Sequence, residues 1–308
     1  MEQFAEQQRQ QAEARRRRLE AEEEAARPPE ELQAEAAHRA ALEVEENAFK
    51  ERFGIELAAF DDSLYRSDEY MQRNGESRKD GYWKYVSAGE DPPLDFTYGE
   101  FPLPLFSRLV DRACELGGIS SDGARRSAVL ADLGSGAGRL ALWAAMTSTW
   151  GAVVGVEYLP TIASIASVKL ADARRLHPHL LRTERIELLE GSWEDPSLQC
   201  WSEIDVAFAY TTAITADEQG VLVDLSAALA RRLRRGALVV TTDYTLDASC
   251  FEVLERIEGC ADCPCNHGII QVHALSIQHM LPHMPVCKPF KHACMHSHTR
   301  RAHPRAHY

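Results

Sequence analysis

The chain has 308 residues, 45% of them hydrophobic and 26% charged, enough for one sizeable globular domain with appendages. Its formal net charge is −13, and residues 54–262 carry 20 Lys/Arg against 33 Asp/Glu, so direct nucleic-acid binding is not expected and a basic protein or a cation is the favoured partner. No run of about 18 apolar residues occurs and the first thirty residues are charged, which points to a soluble intracellular protein with no membrane partner.

Residues 1–53 are rich in Ala, Glu, Gln and Arg and are broken at Pro28-Pro29, which predicts two exposed helices. Apolar positions are too sparse for a sustained heptad seam, so any coiled coil is limited to short helix pairing. The Arg15–Arg18 block is followed by Glu20 and Glu22–Glu24, and it reads as a solvated helix face. Residues 54–98 are aromatic-rich and punctuated by Asn74-Gly75 and Pro92-Pro93, an ordered lead-in. An apolar stripe at Leu105, Leu109, Val110, Ala113 and Leu116 predicts a helix over 102–116 that ends at Gly117-Gly118.

From Ala128 short apolar runs alternate with helical stretches. The predicted strands are 128–133, 152–157, 185–189, 205–210 and 237–243, and the predicted helices 139–148, 161–176 and 217–234. That order defines an α/β chain with a Rossmann-like doubly wound sheet, whose ligands sit at the carboxyl ends of the strands. After the fifth strand only Ser249–Glu258 offers a helix, so the sheet is expected to be truncated at its C-terminal edge. The division that follows is 1–53 charged helical extension, 54–98 lead-in, 99–258 catalytic-type domain and 259–308 tail.

The tail holds nine of the twelve histidines, has no acidic residue from 263 on, and shows neither strand nor helix period, so it is expected to be disordered. Cys260, Cys263, Cys265 and His267 have ligand types and spacing that a zinc ion could use. They lack a second well-spaced pair, and no metal is assigned. The remaining cysteines, Cys114, Cys200, Cys250, Cys287 and Cys294, show no disulfide framework, consistent with a reduced compartment.

Asp132-Leu133-Gly134-Ser135-Gly136-Ala137-Gly138 follows a strand and precedes a helix, so the chain can turn tightly and bring backbone close to a ligand. A dinucleotide loop wants a third glycine at 139, which is Arg139 here. The acidic Asp132 suits the cationic amino group of S-adenosylmethionine better than a pyrophosphate. Glu157 ends the second strand 19 residues beyond Gly138, where a carboxylate can accept both ribose hydroxyls. Ser192 and Trp193 follow the third strand, where an adenine can stack and hydrogen-bond.

Tyr98-Gly99-Glu100 before a helix, then Asp132 to Gly136 and Gly155-Val156-Glu157, resembles the non-SET histone-lysine methyltransferases of the disruptor-of-telomeric-silencing type, over roughly residues 96–245. The resemblance implies a class I methyltransferase using S-adenosylmethionine, a histone-type lysine acceptor and a nuclear, chromatin-regulating role. By it, Tyr98 and Glu100 close over the methionine half of the cofactor, Asp132, Gly134, Ser135, Gly136 and Gly138 hold its amino-acid portion, Glu157 the ribose, and Ser192 and Trp193 the adenine. Tyr98, Phe101 and Tyr210 are candidate walls of the methyl-transfer channel, with Tyr98, Tyr210 and Thr211 as candidate catalytic residues. Phe101, Ser192 and Tyr210 or Thr211 stand where that family carries Thr, Asp and Asn. These departures bring in a second reading, a small-molecule or non-histone protein acceptor, and the expected truncation a third, a catalytically silent scaffold.

Overall fold

The computed structural model describes residues 54–55, 57–66, 69–195, 198, 200–258 and 269–275, with isolated positions between 33 and 52. The Arg15–Arg18 block, Pro28-Pro29 and the Cys260–His267 cluster lie outside them. Three short helices come first, α1 (Leu57–Leu64), α2 (Tyr70–Ser77) and α3 (Tyr82–Ala88), followed by α4 (Leu103–Leu116) and the single turn α5 (Asp122–Arg125). The alternating region is β1 (Val129–Leu133), α6 (Arg139–Thr147), β2 (Ala152–Glu157), α7 (Pro160–Leu176), β3 (Ile186–Glu190), β4 (Ile204–Ala209), α8 (Val223–Arg232) and β5 (Leu238–Thr242). Two further strands close it, β6 (Phe251–Glu258) and β7 (Ile269–Leu275).

The seven strands form one sheet in the order β3-β2-β1-β4-β5-β7-β6. The first five run parallel, and β7 lies antiparallel between β5 and β6. Every residue of β1, β2, β4 and β5 is buried, as expected of parallel strands covered on both faces. Leu130, Val153, Val206, Val240 and Val272 face the layer of α1, α4, α6 and α7, whereas Ala131, Val154, Ala207 and Val239 face α8. Alternation along each strand thus builds two cores from one sheet. Among the described residues no helix is long and apolar enough to cross a membrane.

The expected truncation does not occur. The segment Ser249–Glu258, expected to offer a helix, instead carries β6 from Phe251 on, and Phe251 is buried opposite Leu275. Helix propensity amounts to a few tenths of a kcal/mol per residue and yields to pairing with β7. Ile269–Leu275, inside the segment expected to be disordered, is a strand with Ile270, Val272 and His273 fully enclosed. The helix expected over 217–234 begins only at Val223, because Asp217 turns the chain first. Its carboxylate accepts the amides of Gln219 and Val221 at 2.9 and 2.8 Å, and Gly220 takes φ +77°.

Candidate cofactor and acceptor site

The parallel strands β1, β2, β3 and β4 all end on one side of the sheet, and a cavity of about 390 Å³ opens there. Its walls include Tyr98, Gly134, Gly136, Glu157, Trp193 and Tyr210, with Ser192 beside Trp193. A smaller hollow of about 30 Å³ adjoins it, lined by Glu100, Asp132, Ser135 and Arg139, and it shares Tyr98, Gly134, Gly136 and Tyr210 with the cavity. Ten of the expected site residues therefore converge on one place. Gly138 and Thr211 line neither space.

The glycine loop is fixed by β2. The amides of Gly134 and Ser135 both donate to the Val156 carbonyl, at 2.9 and 3.0 Å, and the Gly136 amide donates to Glu157 Oε2 at 2.8 Å. Gly136 has φ +54°, and a Cβ there would stand 2.9 Å from the Tyr98 ring, so the ring occupies the space the missing side chain leaves. Gly138 opens α6 with φ +82°, where a Cβ would meet Leu188 at 2.9 Å. Its place is packing, between β3 and α7. Arg139 binds Asp61 through two nitrogens at 3.1 and 2.8 Å and donates to the Phe101 carbonyl at 3.0 Å, tying α6 to the lead-in.

Asp132 is 2% exposed, and burial, with Glu157 adding to it, pushes its carboxyl up to about 7. Its Oδ2 and the Ser135 hydroxyl are buried without a hydrogen-bond partner. Two orphaned polar atoms are costly unless a ligand satisfies them. Glu157 differs, because its two oxygens accept the amides of Gly136 and Leu159, each at 2.8 Å. Burial raises its carboxyl, and those amides pull it back. It keeps lone pairs toward the cavity that a vicinal diol could use.

On the opposite wall, Tyr98 donates to Glu100 Oε1 at 2.8 Å, and burial followed by the Glu100 charge holds its phenol far above the usual range. Burial also raises Tyr210. Both phenols stay neutral and serve as donors rather than bases. Phe101 is 1% exposed and packs at a tilt against Phe208 and Tyr210 at ring distances of 5.1 and 5.2 Å, and it lines the hollow but not the cavity. Thr211 is fully buried, its amide and hydroxyl bonded to Thr242 at the end of β5. Thr212 lines the cavity in its place.

Ser77, Tyr158, Thr212 and Asp224 also line the cavity and were not foreseen. Tyr158 had a usable signal, since it follows the strand-ending acid directly. Ser77 had none, because nothing in an isolated lead-in helix says which strand end it will cover.

The sheet order with its antiparallel β7, together with the glycine loop after β1, defines a doubly wound α/β fold of Rossmann-like type. Solved structures similar to this chain include an RNA methyltransferase from Salinibacter ruber in complex with S-adenosyl-L-homocysteine, at 22% identity over 60% of this chain and 98% of that one, TM-score 0.39. Others are MtNAS in complex with MTA and tNA, at 13% over 68% and 70%, TM-score 0.40, and a ribosomal protein L11 methylase from Lactobacillus delbrueckii subsp. bulgaricus, at 15% over 56% and 79%, TM-score 0.37. No family model and no curated protein matches the chain.

Proposed function

We propose that this chain is an S-adenosylmethionine-dependent methyltransferase whose acceptor is a protein lysine of histone type. The observation that carries the cofactor is the orphaned, enclosed Asp132 carboxylate oxygen, with Ser135 lining the same hollow and Glu157 the adjoining cavity. An ammonium satisfies the first pair and a ribose diol the second acid, while Trp193 offers a ring face to an adenine. When bound, the cofactor would supply an electrophilic methyl on a sulfonium, with S-adenosylhomocysteine as the leaving group. The chain's residues do the rest by position. Asp132 and Ser135 anchor one end, Glu157 the other, and Tyr98 and Tyr210 form a wall that excludes water.

The lysine acceptor is supported by the Tyr98-Gly99-Glu100 resemblance and by the charge of the cavity rim. Glu194 and Asp224 line the cavity and draw a cationic side chain from solvent, and the half-buried aromatic wall favours its neutral, nucleophilic form. Since neither tyrosine can act as a base, the proton leaves to water before transfer. A small-molecule or non-histone protein acceptor is the second reading, favoured by Phe101, which fills a position occupied by Thr in the resembled family. The reason for a silent scaffold falls away, because the sheet is complete to β7.

Titration with S-adenosylhomocysteine tests the cofactor. Asp132→Ala and Glu157→Ala are each expected to weaken binding by about tenfold or more, and wild-type affinity in both variants sinks the assignment. Labelled S-adenosylmethionine with core histones tests the acceptor. Label on a histone lysine supports it, and label confined to other substrates moves the assignment to the second reading.

A further inference from the structure

Helix α2 turns one polar stripe toward the segment that walls the cavity. Tyr70, Arg73, Asn74 and Ser77 recur at the spacing of one helix face. The Tyr70 hydroxyl and the Asn74 amide donate to the Tyr98 carbonyl, at 3.4 and 3.2 Å, and the Ser77 hydroxyl donates to that of Phe96 at 3.0 Å. Arg73 donates through Nε and Nη2 to Glu100 Oε1, at 2.9 and 2.6 Å, the same oxygen that accepts the Tyr98 hydroxyl. Its Nη1 donates to the Arg66 carbonyl at 3.2 Å, so all three nitrogens are used. Arg73 is 3% exposed and lines neither the cavity nor the hollow.

We propose that Arg73 is a positioning residue for the amino-acid end of the cofactor, fixing Glu100 and Tyr98 through one shared carboxylate oxygen so that they face Asp132 and Ser135. This rests on the cofactor reading above. The amino-acid end belongs there because the orphaned oxygens are those of Asp132 and Ser135, in the hollow that Tyr98 and Glu100 also line. The adenosine end belongs at Glu157 and Trp193, which Arg73 does not touch. Without its guanidinium, Glu100 is a largely enclosed carboxylate whose nearest remaining cation is Arg139, 3.7 Å from Oε2. Turning toward Arg139 competes with Asp61 and draws the Tyr98 hydroxyl with it, away from the ring's seat over Gly136. The effect therefore falls on one half of the ligand.

Calorimetric titration of the full chain with two ligands reads this out. S-adenosylhomocysteine carries the amino-acid end, and 5′-methylthioadenosine keeps adenine, ribose and sulfur without it. Arg73→Gln is expected to weaken the first by about tenfold or more and to leave the second within about twofold, with Arg73→Lys recovering part of the loss. Equal losses for both ligands mean a merely structural role and overturn the proposal, as does no loss for either. If Arg73→Gln fails to fold, Asn74→Ala, which frees the Tyr98 carbonyl from one donor, must show the same selectivity at smaller size. Wild-type protein that binds neither ligand overturns the cofactor reading itself, an outcome distinct from the others.

Discussion

Asp132 has one oxygen without a partner and a carboxyl held at about 7, so near neutrality it is divided between acid and base. A cationic amino group binds only the ionised form. Below pH 7 each binding event must release a proton, and affinity for S-adenosylhomocysteine is expected to fall by about tenfold per pH unit. Above pH 7 it stays level until the ligand's own ammonium titrates at more alkaline pH. Asp132→Asn removes the slope below 7 and binds more weakly at pH 7.5. Isothermal titration across pH 5.5–8.5 measures both, and a slope that survives in Asp132→Asn assigns the proton elsewhere.

At the scale of elements, Gly138 is where α6, β3 and α7 meet, since a Cβ there strikes Leu188 at 2.9 Å and Ala166 at 3.4 Å with φ at +82°. Gly138→Ala is expected to cost about 2–3 kcal/mol, strain and overpacking together. Gly118 has φ +69° with nothing within 4 Å, so Gly118→Ala should cost only about 1 kcal/mol. Urea unfolding compares them, and equal losses remove the packing contribution.

Most elements that the sequence made legible are strands buried on both faces, β3 being a partly exposed edge strand. β1 to β5 fall within one or two residues of their expected bounds because runs such as Ala152–Glu157 have no polar side to mislead. Asp132 and Glu157 were legible for the same reason, acids at the ends of otherwise apolar strands. β6 and β7 were not, because Phe251–Glu258 mixes Glu, Leu and Arg with the β-favouring Phe251, Val253 and Ile257, and Ile269–Leu275 lies amid histidines; only their pairing with each other and with β5 decides their state. The lead-in was legible as ordered but not as a wall of the site. Arg73, Asn74 and Ser77 become meaningful only once Phe96–Glu100 crosses α2.

For the whole molecule, Asp132 and His273 set opposed pH dependences. Burial holds the His273 imidazole at about 4, below its ordinary 6.5, so the unfolded chain binds a proton that the folded one refuses between those values. That contribution to stability is complete above pH 6.5 and is lost as the pH falls through 4. The Asp132 carboxyl, raised from 3.8 to about 7, contributes stability that is complete below 3.8 and is lost as the pH rises through 7. Across pH 4 to 6.5 the two slopes cancel. Asp132→Asn should therefore gain stability relative to wild type as pH rises through this window, and His273→Gln as it falls, each by up to about 1.4 kcal/mol per unit. Ligand-free thermal melts over pH 4–8 check this, and parallel curves for wild type and variants contradict it.

The position of β7 between β5 and β6 also constrains how the chain can be made. β1 to β5 can assemble as synthesis proceeds, but β5 has an open edge until residues 269–275 emerge, and β6, made earlier, has no seat of its own in the sheet. It must wait beside the ribosome for its later neighbour to slot in. During that interval the growing protein carries an unpaired parallel strand edge and a detached amphipathic segment, the period in which a nascent chain is most exposed to aggregation or to capture by a chaperone.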